Sequence, residues 1–138
     1  MNKLNLMAIF LLTGICFSCS YNSLIQPNDD EELSQEQEIK NLTQLFSEIE
    51  VMASSKRCNN SLEWTFTSFG SKACGGAVGY IAYSTTIDTL LFLEKIEKHR
   101  ISQKVFNEKW GIISNCSLPA EPQGIICEEG KPIFGYSS

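Results

Sequence analysis

The sequence predicts an α+β domain in which two helices, one of them long, pack on a small antiparallel sheet of three to four strands stapled by two disulfides. Three observations predict it. Thr86 to Ile113 carries apolar residues at helical spacing through most of its length. Short extended-looking runs lie on both sides of it, separated by Gly, Pro and Asn. Four cysteines, Cys58, Cys74, Cys116 and Cys127, are spread through the same region behind an export leader.

The leader comes first in the 138-residue chain. Lys3 gives a positive start, and Leu4 to Ile15 is an almost unbroken apolar run of signal-peptide length, short for a membrane span. Two cysteines follow in GICFSCS. A lipoprotein signal peptidase requires a small residue before the cysteine that receives the lipid; Ser18 meets this for Cys19, and Ile15 does not for Cys16. Parity agrees, because cleavage before Cys19 leaves one lipidated cysteine and an even set of four. Residues 1–18 are therefore expected to be a lipoprotein signal peptide. Cys19 is the expected lipidation site, carrying palmitate-type acyl chains that hold the protein to the outer membrane, on its periplasmic or surface face. Residues 19–33 are polar, contain Pro27 and include the acidic run Asp29 to Glu32, the composition of a disordered tether. Residues 34–138 form the domain.

Eleven basic residues face sixteen acidic ones, for a formal net charge of −5. No basic cluster stands out, which argues against nucleic acid or an anionic membrane surface as partner.

Within the domain, Ser34 and Gln37 have capping-box spacing, and Ile39, Leu42, Phe46, Ile49 and Ala53 make a helical stripe with Leu45 and Met52 beside it. A helix over 35–55 follows, ended by Asn59-Asn60-Ser61. From Leu62 to Phe69 the chain alternates, with Leu62, Trp64, Phe66 and Ser68 on one face, as in a strand with one buried side. Gly70, Gly75, Gly76 and Gly79 crowd a turn around Cys74, and Tyr80 to Tyr83 resumes an extended run. Ser84 to Thr86 offers hydroxyl caps for the long helix, with Asp88 in its first turn. That helix carries two apolar rows: Phe92, Ile96, Phe106, Trp110 and Ile113, and Ile87, Leu90, Leu91, Ile101 and Val105. A span of 86–113 would be roughly 40 Å long. Beyond it, Gly124 to Cys127, the turn Glu128-Glu129-Gly130 and Pro132 to Tyr136 read as a hairpin.

Four cysteines allow three pairings, and spacing favours Cys58–Cys74 with Cys116–Cys127, since each closes a local loop. Zinc is the weaker reading because no C-x-x-C pair exists, and an exported setting favours oxidation. No metal and no cofactor are expected.

Chemistry is hard to find. The glycines meet neither the Walker spacing nor the dinucleotide fingerprint. His99 is the only histidine, so any Ser-His-Asp or Cys-His catalyst would need it, yet it falls amid Glu97, Lys98 and Arg100 and reads as a boundary residue on a charged turn. Tyr80 and Tyr83 flank the glycine turn, so Gly75, Gly76, Tyr80 and Tyr83 form a candidate binding surface for a protein or glycan.

The patterns W-x-F-T-x-x-G-S-K-A-C-G-G, G-Y-I-A-Y-S-x-x-I-D, F-N-x-K-W-x-x-I-S-x-C and P-x-G-I-x-C-x-x-G-K-P, spanning Cys58 to Tyr136, resemble a family of small lipoproteins of the Bacteroidota with no established activity. Two departures from that family are Ala77, where proline is common, and Asn115, where aspartate is common. The resemblance implies an exported, lipid-anchored compartment and leaves the function open. The expected function is that of a non-enzymatic binding or inhibitory module of the cell envelope. The alternatives are a small envelope hydrolase using His99 and a purely structural envelope lipoprotein.

Overall fold

Ser34 opens α1 (Gln35–Ala53) by accepting the Gln37 N–H on its hydroxyl at 3.3 Å. The Gln37 amide reaches forward to Asn41 at 3.2 Å, so only half of the capping box forms. Glu36 and Glu38 in the first turn suit the positive end of the helix dipole. At the other end the Ser54 and Ser55 hydroxyls fold back onto the carbonyls of Glu50 and Met52, both at 2.7 Å. The computed structural model describes residues 32–137, so the signal peptide, Cys19 and nearly all of the tether lie outside the described residues.

After α1 the chain makes a single 3₁₀ turn over Ser61–Glu63, capped by Asn60, whose side chain accepts the Leu62 N–H at 3.1 Å. That turn leaves Leu62 89 % exposed, correcting the expected strand start and its place on a buried face. β1 (Trp64–Phe69) then pairs antiparallel with β2 (Gly79–Ser84), with Thr65 opposite Tyr83 and Thr67 opposite Ile81. α2 (Thr89–Lys109) begins on Asp88, which is itself the cap and accepts the Leu91 N–H at 3.0 Å. It ends at Trp110, and Gly111 follows with φ +58°, the left-handed stop that glycine supplies. The helix is thus about 31 Å long, and Ile113 lies beyond it, 94 % exposed. β3 (Gly124–Glu128) and β4 (Lys131–Gly135) form a second antiparallel hairpin. Its two-residue turn, Glu129 and Gly130, has both φ values positive, at +52° and +80°.

The expected single sheet of three to four strands is therefore two separate two-stranded sheets. Their arrangement follows from strand alternation. Ile81 and Tyr83 from β2 join Ile49, Ala53, Phe92 and Ile96 from the helices in the main core, and Phe69 stacks on Phe46 with ring centroids 4.8 Å apart. On the opposite face of the same hairpin, Phe66 meets Phe134 of β4 edge-on at 6.2 Å and Tyr80 at 5.8 Å. The first hairpin is a middle layer, covered by helices on one side and by the second hairpin on the other.

Among the described residues one disulfide is present, and it joins Cys58 to Cys127 with Cα atoms 5.2 Å apart. The preferred pairing of Cys58 with Cys74 and Cys116 with Cys127 is corrected. Short-loop preference is overridden by packing: the Cys58 N–H donates to the Gly130 carbonyl at 2.9 Å, docking the second hairpin at the exit of α1. The guanidinium of Arg57 lies where a Cβ on Gly130 would sit.

Only one of the two rows expected on α2 is buried. Phe92, Ile96 and Phe106 face inward, while Leu90, Leu91, Ile101 and Val105 are exposed. The gap in the inward row is filled by His99, 6 % exposed, with its ring 5.2 Å from that of Phe46. This corrects its reading as a boundary residue.

Candidate functional site

Most of the surface chemistry gathers where the glycine turn after β1 meets the loop after α2. Gly70 has φ +71°, and a Cβ there would fall 2.7 Å from Val78 and 2.8 Å from Gln103, so only glycine lets the chain leave β1 this way. Ser71, buried, is then held from both sides of its backbone. Its N–H donates to the Gln103 side chain at 2.7 Å, and its carbonyl accepts from the Asn107 amide at 2.8 Å. Both partners stand on α2 and share the inward half of the helix with His99 and Phe106.

The turn is closed by Lys72, whose N–H and C=O bond to Gly76 and Gly75 backbone groups at 3.0 Å each. Its ammonium reaches across to Asn115 Oδ1 at 3.0 Å and to the Ser117 carbonyl. The Ala73 N–H donates to Ser114 Oγ at 3.1 Å. Two loops that are far apart in sequence are thereby laced edge to edge, while Ala73 to Gly76 and Asn115 to Leu118 stay exposed.

Cys74 and Cys116 sit on this seam, both exposed and both as thiols. Cys74 Sγ is 3.7 Å from Ser114 Oγ and 3.7 Å from the Asn115 carbonyl. The neighbouring Cys116 side chain, followed by the Ser114 hydroxyl, holds the Cys74 pKa below the usual thiol value, and Cys74 in turn pushes that of Cys116 up. Chemically, the arrangement is a pair of exposed neighbouring thiols.

Of the expected surface residues, Gly75 and Gly76 lie on the exposed crest of this turn, with φ +90° and +84°. The tyrosines are elsewhere. Tyr83 is 8 % exposed and packs on Phe92 with centroids 4.6 Å apart, and Tyr80 leans half-buried on Phe66. Being three apart on one strand, they also face opposite sides of it. The candidate surface is corrected accordingly: its contents are Lys72, Ser114, Asn115 and Ser117 beside the two glycines.

His99 does not gather a catalyst around it. Its Nδ1 is buried without a hydrogen-bond partner, so no carboxylate orients the ring, and burial lowers its pKa. Among the described residues no group of three or more His, Cys, Asp or Glu is placed to hold a metal ion.

Two recesses border these elements. One, about 640 Å³, runs along the outer seam between α1 and α2, with Leu42, Leu45, Leu91 and Val105 along its floor and the Lys95–Glu48 ion pair (2.7 Å) in its wall. The other, about 230 Å³, is walled by Ser71 to Ala73, Gly75 and Gly76 on one side and by Arg100, Lys104, Asn107 and Glu108 of α2 on the other. Comparison of the chain with known protein families, with curated proteins and with solved structures finds no match in any of the three.

Proposed function

We propose that this chain is a lipid-anchored, non-enzymatic binding or inhibitory module of the cell envelope, presenting the paired loops 70–78 and 111–123 to a protein or glycan partner. The observation that carries this reading is the lacing of Ser71, Lys72 and Ala73 to Gln103, Asn107, Ser114, Asn115 and Ser117 beneath an exposed crest. Loops ordered before they meet a partner lose little conformational freedom on binding, which favours affinity at a small contact area. Cys19 supplies the anchor and the resemblance to Bacteroidota lipoproteins supports the compartment.

A second bridge, Cys74–Cys116, belongs to the same proposal. In an oxidising envelope each thiol gives up its proton as the S–S bond forms, and the electron pair passes to a disulfide of an oxidant protein or small molecule. The bond would lock the seam covalently. Non-reduced intact mass should then be four hydrogens below that of the fully reduced chain, two for each bridge; a deficit of two would remove the second bridge.

The surface itself is tested by placing a photo-crosslinking side chain at Leu118, on the exposed crest, and at Val51, on the outside of α1, in the lipidated protein in its own envelope. A discrete adduct from Leu118 that is missing from Val51 and lost on Cys74→Ala/Cys116→Ala is expected. Equal yields from both positions, or no adduct from either, would reject the assignment of this face.

A further inference from the structure

The 230 Å³ recess behind the glycine turn is lined by three cations, Lys72, Arg100 and Lys104, in a chain whose net charge is −5. Glu108 is the carboxylate in its wall, and Glu97 lies just outside, bound to Arg100 through both oxygens at 2.6 and 2.7 Å. Counting both carboxylates, the site keeps a surplus of one positive charge.

Donor capacity is more telling than charge. An ammonium has three N–H donors, and Lys72 uses two, on Asn115 and Ser117. A guanidinium has five, and Glu97 occupies two of those on Arg100. Lys104 stands 3.9 Å from Glu108, past hydrogen-bond distance, so its three donors have no close acceptor there. At Gly75 the wall of the recess is bare backbone, where a Cβ would meet nothing within 4 Å, while the Leu118 side chain lies against Gly76. A recess with spare cationic donors and open backbone at Gly75 is complementary to a compact group that only accepts.

From this geometry we infer that the recess between the glycine turn and α2 is a subsite for an oxyanion, a sulfate, phosphate or carboxylate group, held by Lys104, Arg100 and the third proton of Lys72. The inference rests on the reading of the paired loops as the recognition face and names the chemistry that face selects. The oxyanion has two possible sources: a free ion, or an acidic substituent on an envelope glycan. A glycan would place its uncharged part across the Gly75–Gly76 crest.

Titrations of the ¹⁵N-labelled chain with sodium sulfate, with inorganic phosphate and with a monosulfated disaccharide, at ionic strength held constant with chloride, test this. Saturable amide shifts confined to 71–76 and 100–108 are expected. Arg100→Gln/Lys104→Gln should weaken binding about tenfold while leaving the melting temperature within a degree or two, since both cations sit in exposed ion pairs. Tighter binding of the sulfated sugar than of sulfate assigns the subsite to a glycan; equal binding assigns it to a free ion. Linear, unsaturated shifts that persist in the double variant would overturn the inference. The Leu118 crosslink separates the two claims: if it survives while no anion binds, the recognition face stands and the oxyanion subsite falls.

Discussion

Reduction of the Cys58–Cys127 bridge in a chain carrying Cys74→Ala and Cys116→Ala removes no heavy atom and releases a loop whose ends are 69 residues apart. Comparing oxidised with reduced protein of that one sequence isolates the constraint on the unfolded chain from any cavity. The chain-entropy relation gives about 4.4 kcal/mol for such a loop at 25 °C. Small domains have a net stability of only about 5–15 kcal/mol, so the bridge accounts for a large share of it. The melting temperature should fall by roughly 18–35 °C, at 4–8 °C per kcal/mol for a domain of this size. Urea denaturation followed by tryptophan fluorescence reads the same quantity directly, since Trp64 is buried beside the bridged layer. If the proposed Cys74–Cys116 bridge also forms, the two would not add. Closing Cys74 to Cys116 inside the larger loop constrains the equivalent of roughly 17 residues and contributes about 3 kcal/mol, against about 4 when it is the only bridge. A reduced protein that loses less than about 1.5 kcal/mol would refute the premise that the native structure alone brings these two cysteines together.

Other outcomes follow from single side chains. Phe92→Ala should cost about 3–5 kcal/mol in urea melts, because the ring is fully buried against Tyr83; a loss below 1 would mean that α2 does not seat on the first hairpin there. His99 is buried with its pKa lowered, so as pH falls through about 6.5 the unfolded chain takes up a proton that the folded one refuses. Stability should therefore drop on acidification below that pH, by at most about 1.4 kcal/mol per unit, and be insensitive to this group above it. His99→Leu should flatten the curve between pH 5 and 7, above the range where Glu38, Glu48 and Glu97, all with lowered pKa values, begin to titrate. Gly70→Ala should cost roughly 1–3 kcal/mol, since it combines a left-handed φ with contacts under 3 Å, and should speed hydrogen exchange at Ser71. Asn115→Asp should turn the Lys72 contact into an ion pair and add about 0.2–1 kcal/mol that salt removes.

Local signals in the sequence located nearly all of the regular structure. Ser34 fixed the start of α1, Trp64 to Phe69 and Tyr80 to Tyr83 fell in strands, and Glu128-Glu129-Gly130 marked the second hairpin's turn. The expected span of α2 is too long at both ends, because Asp88 is the cap rather than a first-turn residue and Gly111 stops the helix. His99 and Gln103 fall in phase with Phe92, Ile96 and Phe106, so helical geometry places them inward whatever their polarity. Judging them by character instead hid both the buried imidazole and the anchor of Ser71. What no local pattern contains is the stacking order. The alternation of β1 predicts one buried face, but the strand is covered on both, and the hairpin that covers the second side also carries Cys127 to Cys58. Spacing along the chain has no information about that approach, and the pairing preference built on it failed for that reason. The donor set of the recess was equally invisible, because Lys72 meets Arg100 and Lys104 only after the glycine turn has folded onto α2.

Glu38, one turn into α1, accepts the indole N–H of Trp110 at 2.9 Å and the ammonium of Lys109 at 2.6 Å, and Lys109 also reaches Glu32 at 3.2 Å. The point where the chain enters the domain is thus riveted to the far end of the other helix. A pull at residue 32 is therefore felt by the last turn of α2 as well as by the first turn of α1. Under the proposed lipid anchor, tension along the tether would be shared between the two helices rather than carried by α1 alone.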